Sequence, residues 1–290
     1  MQKKDKEIFL ILGMHRSGTS VMTKFLEIFN INIGSDFSPP RVDNPTGFYE
    51  DMSFLRVNIN LLKLNKINWN SILNPLNLNL KTKSININFW LSDIKQKIKF
   101  KDNFAFKDPR SILFINFWNN FFKKKNYNVR YLYCYRHPYL ISNSIIKRDK
   151  IKREDVFLLI LQNWYLILKN IKNNDNKIFL NYDLLISNNK KFYEKFKKQF
   201  HLNSNNDKYL FFKKEILLKN NKKFKSKNNQ VYEILLKIYH YFNKPKKKFK
   251  SKDNQVYEIL LKIYHYFNKP KKSELLNLIK KIEKYYENQM

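Results

Sequence analysis

Glycine, arginine and cysteine are all scarce in this 290-residue chain. There is one cysteine, Cys134, so no intrachain disulfide can form, which fits a reducing cytoplasm. Cys134 lies in an apolar, strand-like run, which points to the core and away from a nucleophile. No uninterrupted apolar run approaches the roughly 18–20 residues needed to span a bilayer. The opening residues Met1–Asp5 lead into a short apolar run, too short for the core of a signal peptide. The expected location is therefore cytoplasmic. No cysteine–histidine spacing suggests zinc, and no convincing acidic cluster suggests another metal. Acidic residues are also few, 24 against 57 basic ones, for a formal charge of +33. The lysines are scattered among asparagines, as an AT-rich coding sequence would produce, and no nucleic-acid motif accompanies them. The charge therefore implies no specific nucleic-acid partner and at most a peripheral contact with an anionic membrane.

Against that background the rare residues carry information. There are 8 arginines and 49 lysines, and no arginine follows Arg153. Where positive charge alone suffices, this chain uses lysine. Arginine should persist where a planar, bidentate guanidinium must meet phosphate or carboxylate, which singles out Arg16, Arg110, Arg136 and Arg148. The glycines are Gly13, Gly18, Gly34 and Gly47, and two of the four bound a single loop.

That loop is Gly13-Met14-His15-Arg16-Ser17-Gly18-Thr19-Ser20. It follows the apolar run Ile8–Leu12 and opens an amphipathic segment with Val21, Met22, Phe25, Leu26 and Phe29. A strand, a glycine-bounded loop and a helix in succession aim backbone N–H groups and a helix N-terminus at an anion. The spacing approaches the nucleotide P-loop G-x-x-x-x-G-K-[ST], but Thr19 stands at the lysine position and the basic residue, Arg16, sits inside the loop. A phosphate-binding loop outside the ordinary NTPase pattern is the expectation.

The prolines and glycines of Ser38–Asp51 exclude a long helix or a central strand and imply a shaped loop. Helical spacing resumes over 52–65, fades in the asparagine-rich stretch 65–84, and returns from Phe89 to about Lys99. Phe104–Phe106 reads as a strand entering Lys107-Asp108-Pro109-Arg110, then a helix through Phe122. Val129–Tyr135 is a further strand, ending in Arg136-His137-Pro138 before a helix over 139–149. Glu154–Ile171 is helical, and Lys177–Tyr182 is a strand that leads into a helix at Asp183. Strands alternating with helices predict an α/β fold: a P-loop-type central parallel β-sheet flanked by helices.

The predicted domain spans 1–215, followed by a lysine-rich helical C-terminal tail over 216–290. In the tail, residues 222–246 return at 247–271 with one change, Asn228 to Asp253. Each copy carries one amphipathic helix, and near-identity marks a recent tandem duplication. One copy is expected to pack on the domain, the other to be a dispensable insert.

Together the opening loop, Lys107–Arg110, and Arg136-His137-Pro138 followed by Ser144 and Arg148 resemble the sulfotransferase family. The resemblance runs from about Ile8 to Leu185 and is closest to bacterial carbohydrate and tyrosyl-protein sulfotransferases that use 3′-phosphoadenosine 5′-phosphosulfate (PAPS). It implies that Gly13, His15, Arg16, Ser17, Gly18, Thr19 and Ser20 cradle the 5′-phosphosulfate. It also implies that Arg136 and Ser144 clamp the 3′-phosphate, with Arg148 extending the clamp and Tyr182 near the nucleotide. Arg16 would bridge the phosphosulfate. Glu50 is the expected base for the acceptor hydroxyl, with Asp51 next and Asp43 third, and Lys107 would stand near the transferred sulfuryl group. Arg110 would pair with the loop carboxylates. For His15 and His137 a structural role is expected, in His15 a hydrogen bond that shapes the loop. Cytosolic members carry an adenine-stacking aromatic where this chain has Val21. The acceptor implied is a glycan or glycolipid of the bacterial cell surface, and no metal is required. The competing readings are a P-loop kinase or NTPase, which Thr19 argues against, and a catalytically degenerate homologue that binds nucleotide.

Overall fold

A computed structural model describes residues 6–42, 44, 47–73, 75, 78–99, 103–170, 176–187, 189–200 and 230–243. Four strands form one parallel sheet: β1 (Lys6–Leu12), β2 (Asn103–Lys107), β3 (Tyr127–Tyr135) and β4 (Lys177–Asn181), in the order β2-β1-β3-β4. Each strand reads as an almost continuous apolar run because both of its faces are covered. Ile8, Leu10 and Leu12 of β1 point to one side with Phe104 and Phe106; Phe9 and Ile11 point to the other with Leu132, Cys134, Ile178 and Leu180. Cys134 is 2% exposed and its thiol pKa is pushed up by burial, as a core residue's should be.

The second face is closed by α1 (Thr19–Leu26), α7 (Tyr182–Ser187) and α8 (Asn189–Phe200). Phe25, Phe29, Tyr193 and Phe196 form an aromatic cluster there, with ring centroids 5.2–6.4 Å apart. The first face carries α2 (Met52–Leu64), α3 (Ile85–Ile98), α4 (Ile115–Lys123), α5 (Pro138–Asp149), α6 (Arg153–Lys169) and α9 (Gln230–Asn243). No helix among the described residues is long and apolar enough to cross a membrane.

The α/β expectation is met, and several boundaries shift for identifiable reasons. Helix α3 begins at Ile85, four residues before Phe89, because the Ser84 side chain accepts a hydrogen bond from Ile87 N (3.2 Å) and caps it. The helix expected after Lys107 opens as a 3₁₀ turn, Pro109–Phe114, with Pro109 at its start, and becomes α-helical at Ile115. Tyr182 leaves the strand and starts α7.

Helix α6 is buried nearly all round, a state its sequence reaches only because α9 covers its outer side. Leu235 and Ile238 of α9 join the core, and Tyr232 stacks on Phe157 with centroids 5.0 Å apart. The helix of the first repeat copy thus packs against α6; the copy at 247–271 lies outside the described residues, as does most of the tail.

Candidate functional site

All four strands run in the same direction, so their carboxyl ends deliver four loops to one edge. The chain leaves β1 for β2 on one side and later for β3 on the other. The carboxyl ends of β1 and β3 are therefore a topological switch point, where open α/β sheets leave a crevice.

From β1 comes the glycine-bounded loop. A Cβ on Gly13 would meet Cys134 O at 2.4 Å, and one on Gly18 would meet the Tyr182 ring at 2.1 Å. Gly18 also adopts φ 90°, in the left-handed region that favours glycine. Ser17 is fully buried and its hydroxyl donates to Met14 O (2.6 Å), closing the turn. Gly18 caps α1 with no side-chain hydrogen bond, so the first N–H groups of the helix are offered to a ligand in place of a protein cap. Thr19 is buried, and Ser20 Oγ donates to Phe48 O (3.1 Å), which ties the helix start to the loop before α2.

That second loop is shaped by its own hydrogen bonds. Ser38 N donates to Glu50 O, Met52 N to Asp36 O, and Arg41 and Asn44 exchange backbone bonds across a tight turn. Asp43 lies outside the described residues. Tyr49, at φ 51°, and Arg16, at φ 68°, are both non-glycine residues held in the left-handed region. Conformations of this kind persist only where the surroundings impose them. One aims Glu50 and the other is Arg16 itself.

Glu50 is 8% exposed and both its oxygens are engaged. Lys107 Nζ reaches Oε1 at 2.8 Å and Arg110 Nη2 reaches Oε2 at 2.8 Å. Burial alone would raise the pKa of Glu50, but Lys107 and Arg110 outweigh it and hold the group below the usual carboxylate value. The cluster continues inward. Asp108 Oδ1 accepts from Arg110 Nε at 2.6 Å, Asp108 Oδ2 accepts from Asn58 Nδ2 at 2.8 Å, and Asn58 Oδ1 accepts from Trp118 Nε1 at 3.0 Å. Burial raises the pKa of Asp108, opposed by Arg110 and reinforced by the charge of Glu50. Arg110 thus pairs with the loop carboxylate, as the sequence suggested.

Asp51 has a different occupation. Its side chain caps α2 by accepting from Ser53 N (3.0 Å), and Lys97 Nζ pairs with it at 3.0 Å. Asp51 is not among the residues that line the cavity at this edge.

That cavity has a volume of about 1130 Å³. His15, Arg16, Glu50, Arg110, Ser144 and Arg148 all line it, along with Arg41, Phe48, Trp69 and Lys147. Five of its lining residues are basic (Arg16, Arg41, Arg110, Lys147, Arg148) and two acidic (Glu50, Asp149), so its field favours an anion. Arg16 Nε donates to Ser144 Oγ at 2.7 Å, across 128 positions of sequence. Arg148, one turn beyond Ser144 on α5, donates to Asp149 (2.7 Å) and lies over the Trp69 ring at 5.3 Å.

Eight of the expected site residues are not in the lining of this cavity: Gly13, Ser17, Gly18, Thr19 and Ser20 of the loop, Lys107 beneath Glu50, and Arg136 and Tyr182. Arg136, 7% exposed, lies over the Tyr182 ring at 4.8 Å and donates to Asp183 Oδ1 at 3.4 Å. Tyr182 is pressed against Gly18, and His137 N donates to the other oxygen of Asp183 (3.2 Å). Arg136 and Tyr182 therefore sit behind the glycine loop, and neither lines the cavity that holds Ser144.

His15 differs from expectation. No hydrogen bond from its ring to a described residue shapes the loop; Nε2 is buried and has no hydrogen-bond partner. The ring is held instead by Trp69, with centroids 4.5 Å apart. Trp69 comes from the asparagine-rich stretch, which shows no periodicity. That excursion is closed at its neck by reciprocal bonds between Asn65 and Lys81 (2.9 and 2.7 Å) and pinned to α6 by Gln162 Oε1, which accepts from Leu73 N at 2.7 Å. The only sequence signal for Trp69 is its rarity, four tryptophans in the chain. Among the described residues no group of three or more His, Cys, Asp or Glu side chains is placed to hold a metal ion.

No protein-family model matches the chain, and no curated protein sequence does. Among solved structures it is similar to the sulfotransferase domain from the Synechococcus PCC 7002 olefin synthase, at 13% identity and a TM-score of 0.49, over 84% of this chain and 98% of that one.

Proposed function

We propose that the chain is a PAPS-dependent sulfotransferase that moves a sulfuryl group to a hydroxyl of a glycan or other cell-surface acceptor by direct in-line displacement. One observation carries this reading. Arg16 and Ser144, which the family resemblance assigns to two different phosphate sites of one nucleotide, meet at 2.7 Å on the wall of one cationic cavity.

The surrounding residues fit the donor. An uncapped helix N-terminus and a glycine loop with no room for a Cβ suit a 5′-phosphate, held by Gly13, Ser17, Gly18, Thr19 and Ser20. The donor supplies an activated sulfuryl group. Such transfer asks the protein mainly for alignment and for neutralising the charge that develops on the leaving phosphate. Arg16 and Lys107 supply that charge. Glu50, committed to Lys107 and Arg110, holds both cations in place. Ser144 and Arg148 serve the 3′-phosphate from the cavity wall, and Arg136 with Tyr182 supports the loop from behind.

Calorimetric titration with 3′-phosphoadenosine 5′-phosphate and with ATP–Mg²⁺ tests the proposal. Preference for the bisphosphate is expected. Preference for ATP–Mg²⁺ favours the kinase or NTPase reading, and bisphosphate binding with no turnover of PAPS identifies a degenerate homologue.

A further inference from the structure

The carboxylate expected to take the acceptor's proton is already occupied, whereas a neutral nitrogen in the wall of the same cavity is not. Both Glu50 oxygens accept from cations at 2.8 Å. A carboxylate so paired is a weak base, because protonating it means displacing Lys107 or Arg110. His15 lies in the wall of the same cavity, with its ring against Trp69 and a buried Nε2 that no described residue satisfies. A buried, unpartnered ring nitrogen is costly, and such groups persist where a ligand or a reaction uses them.

Resting on the sulfotransferase reading, we infer that His15 Nε2 accepts the proton of the attacking hydroxyl, while Glu50 positions Lys107 and Arg110. The acceptor oxygen bonds to sulfur and the bond from sulfur to the bridging phosphate oxygen breaks. The nucleotide bisphosphate leaves with the electron pair, and the acceptor's proton resides on His15.

The charges around His15 make the donor its switch. Burial, and then Arg110 from the 3₁₀ turn, Arg148 from α5, Lys107 from β2 and Arg16 from the loop itself, hold its pKa well below the usual imidazole value. The acids that face these cations, Glu50, Asp108 and Asp149, are engaged with them and not with His15. Without donor, the imidazole is neutral but too weakly basic to take a proton. A polyanionic nucleotide brings compensating charge to the same four cations, so the basicity of Nε2 should rise when, and only when, donor is bound. The intact loop therefore withholds its base until the nucleotide is bound.

Two measurements decide this. Calorimetry with 3′-phosphoadenosine 5′-phosphate near pH 6, in two buffers of different ionisation enthalpy, should show His15→Gln taking up fewer protons on binding than wild type, by a difference approaching about one proton. Equal uptake by the two proteins, with the nucleotide bound, overturns the inference but leaves the sulfotransferase reading intact; no binding by wild type sinks both. The second is the pH profile of sulfuryl release from PAPS. His15→Gln should lose roughly 10²–10⁴-fold in rate together with the ascending limb, whereas Glu50→Gln should keep that limb at reduced rate. If Glu50→Gln abolishes the limb and His15→Gln retains it, Glu50 is the base.

Discussion

The two sides of the sheet's carboxyl edge are built on different electrostatic plans. On the β2 side Lys107, Arg110, Glu50 and Asp108 form a buried cluster of two cations and two anions, extended by Asn58 to Trp118. On the β3/β4 side Arg136 meets one acid, Asp183, at 3.4 Å, and that acid's side chain is 26% exposed. The first arrangement is closed and complete without any ligand. The second is longer and wetter. A site for a charged substrate needs both, a rigid frame to set the geometry and a looser contact that can respond.

The comparison can be broken from its rigid end. Lys107→Met leaves Glu50 buried with half its compensation gone, and should cost about 3–5 kcal/mol in denaturant unfolding. A loss near zero would mean that the cluster is not the frame proposed. Next in size, Arg16→Ala should lower turnover of PAPS on the order of 10²–10³-fold, because its charge meets the leaving phosphate. Gly18→Ala should destabilise by about 1–3 kcal/mol through its left-handed backbone and its closeness to Tyr182. A double-mutant cycle with Tyr182→Ala separates these causes: positive coupling isolates the ring contact, and its absence leaves the backbone alone. On the looser side, Arg136→Ala should weaken the bisphosphate and adenosine 5′-phosphate alike, by roughly tenfold or about 1.4 kcal/mol, because it acts through the loop. A loss confined to the bisphosphate would place Arg136 on the 3′-phosphate instead.

The smallest effect is a slope. His15 and His137 both have pKa values lowered in the fold, with burial as the largest cause. Below the ordinary imidazole value of about 6.5 the unfolded chain takes up protons at these positions that the fold refuses. Stability contributed by keeping them neutral is therefore present at pH 7 and lost as pH falls toward 5. His15→Gln should flatten that fall in thermal unfolding followed against pH.

Much of this arrangement can be read from local sequence. Strands, helices and the glycine-bounded loop follow from periodicity and from φ requirements that a few adjacent residues impose. The scarcity of arginine singles out Arg16, Arg110, Arg136 and Arg148; three of these line the cavity, Arg136 does not, and Arg41, which also lines it, is passed over. Adjacent residues exposed the limit of such reasoning. Glu50 and Asp51 look alike in sequence, yet Asp51 caps α2 and pairs with Lys97, and only Glu50 meets Lys107 and Arg110. Both are buried, and only Glu50 lines the cavity; it follows the left-handed turn at Tyr49, a conformation that no β-turn signature announces.

By itself the sequence determined the alternation of strands and helices, the uncapped helix start after Gly18, and the exclusion of an ordinary lysine-bearing NTPase loop. These properties are local, set by side-chain period and steric allowance within a few residues. Only the tertiary structure decided that Trp69 lies against His15, that α9 completes the burial of α6, that Arg16 meets Ser144, and that Arg136 falls behind the loop. Those contacts join residues that lie far apart in the chain. Crossover connections and packing between layers set them, and no local pattern encodes either.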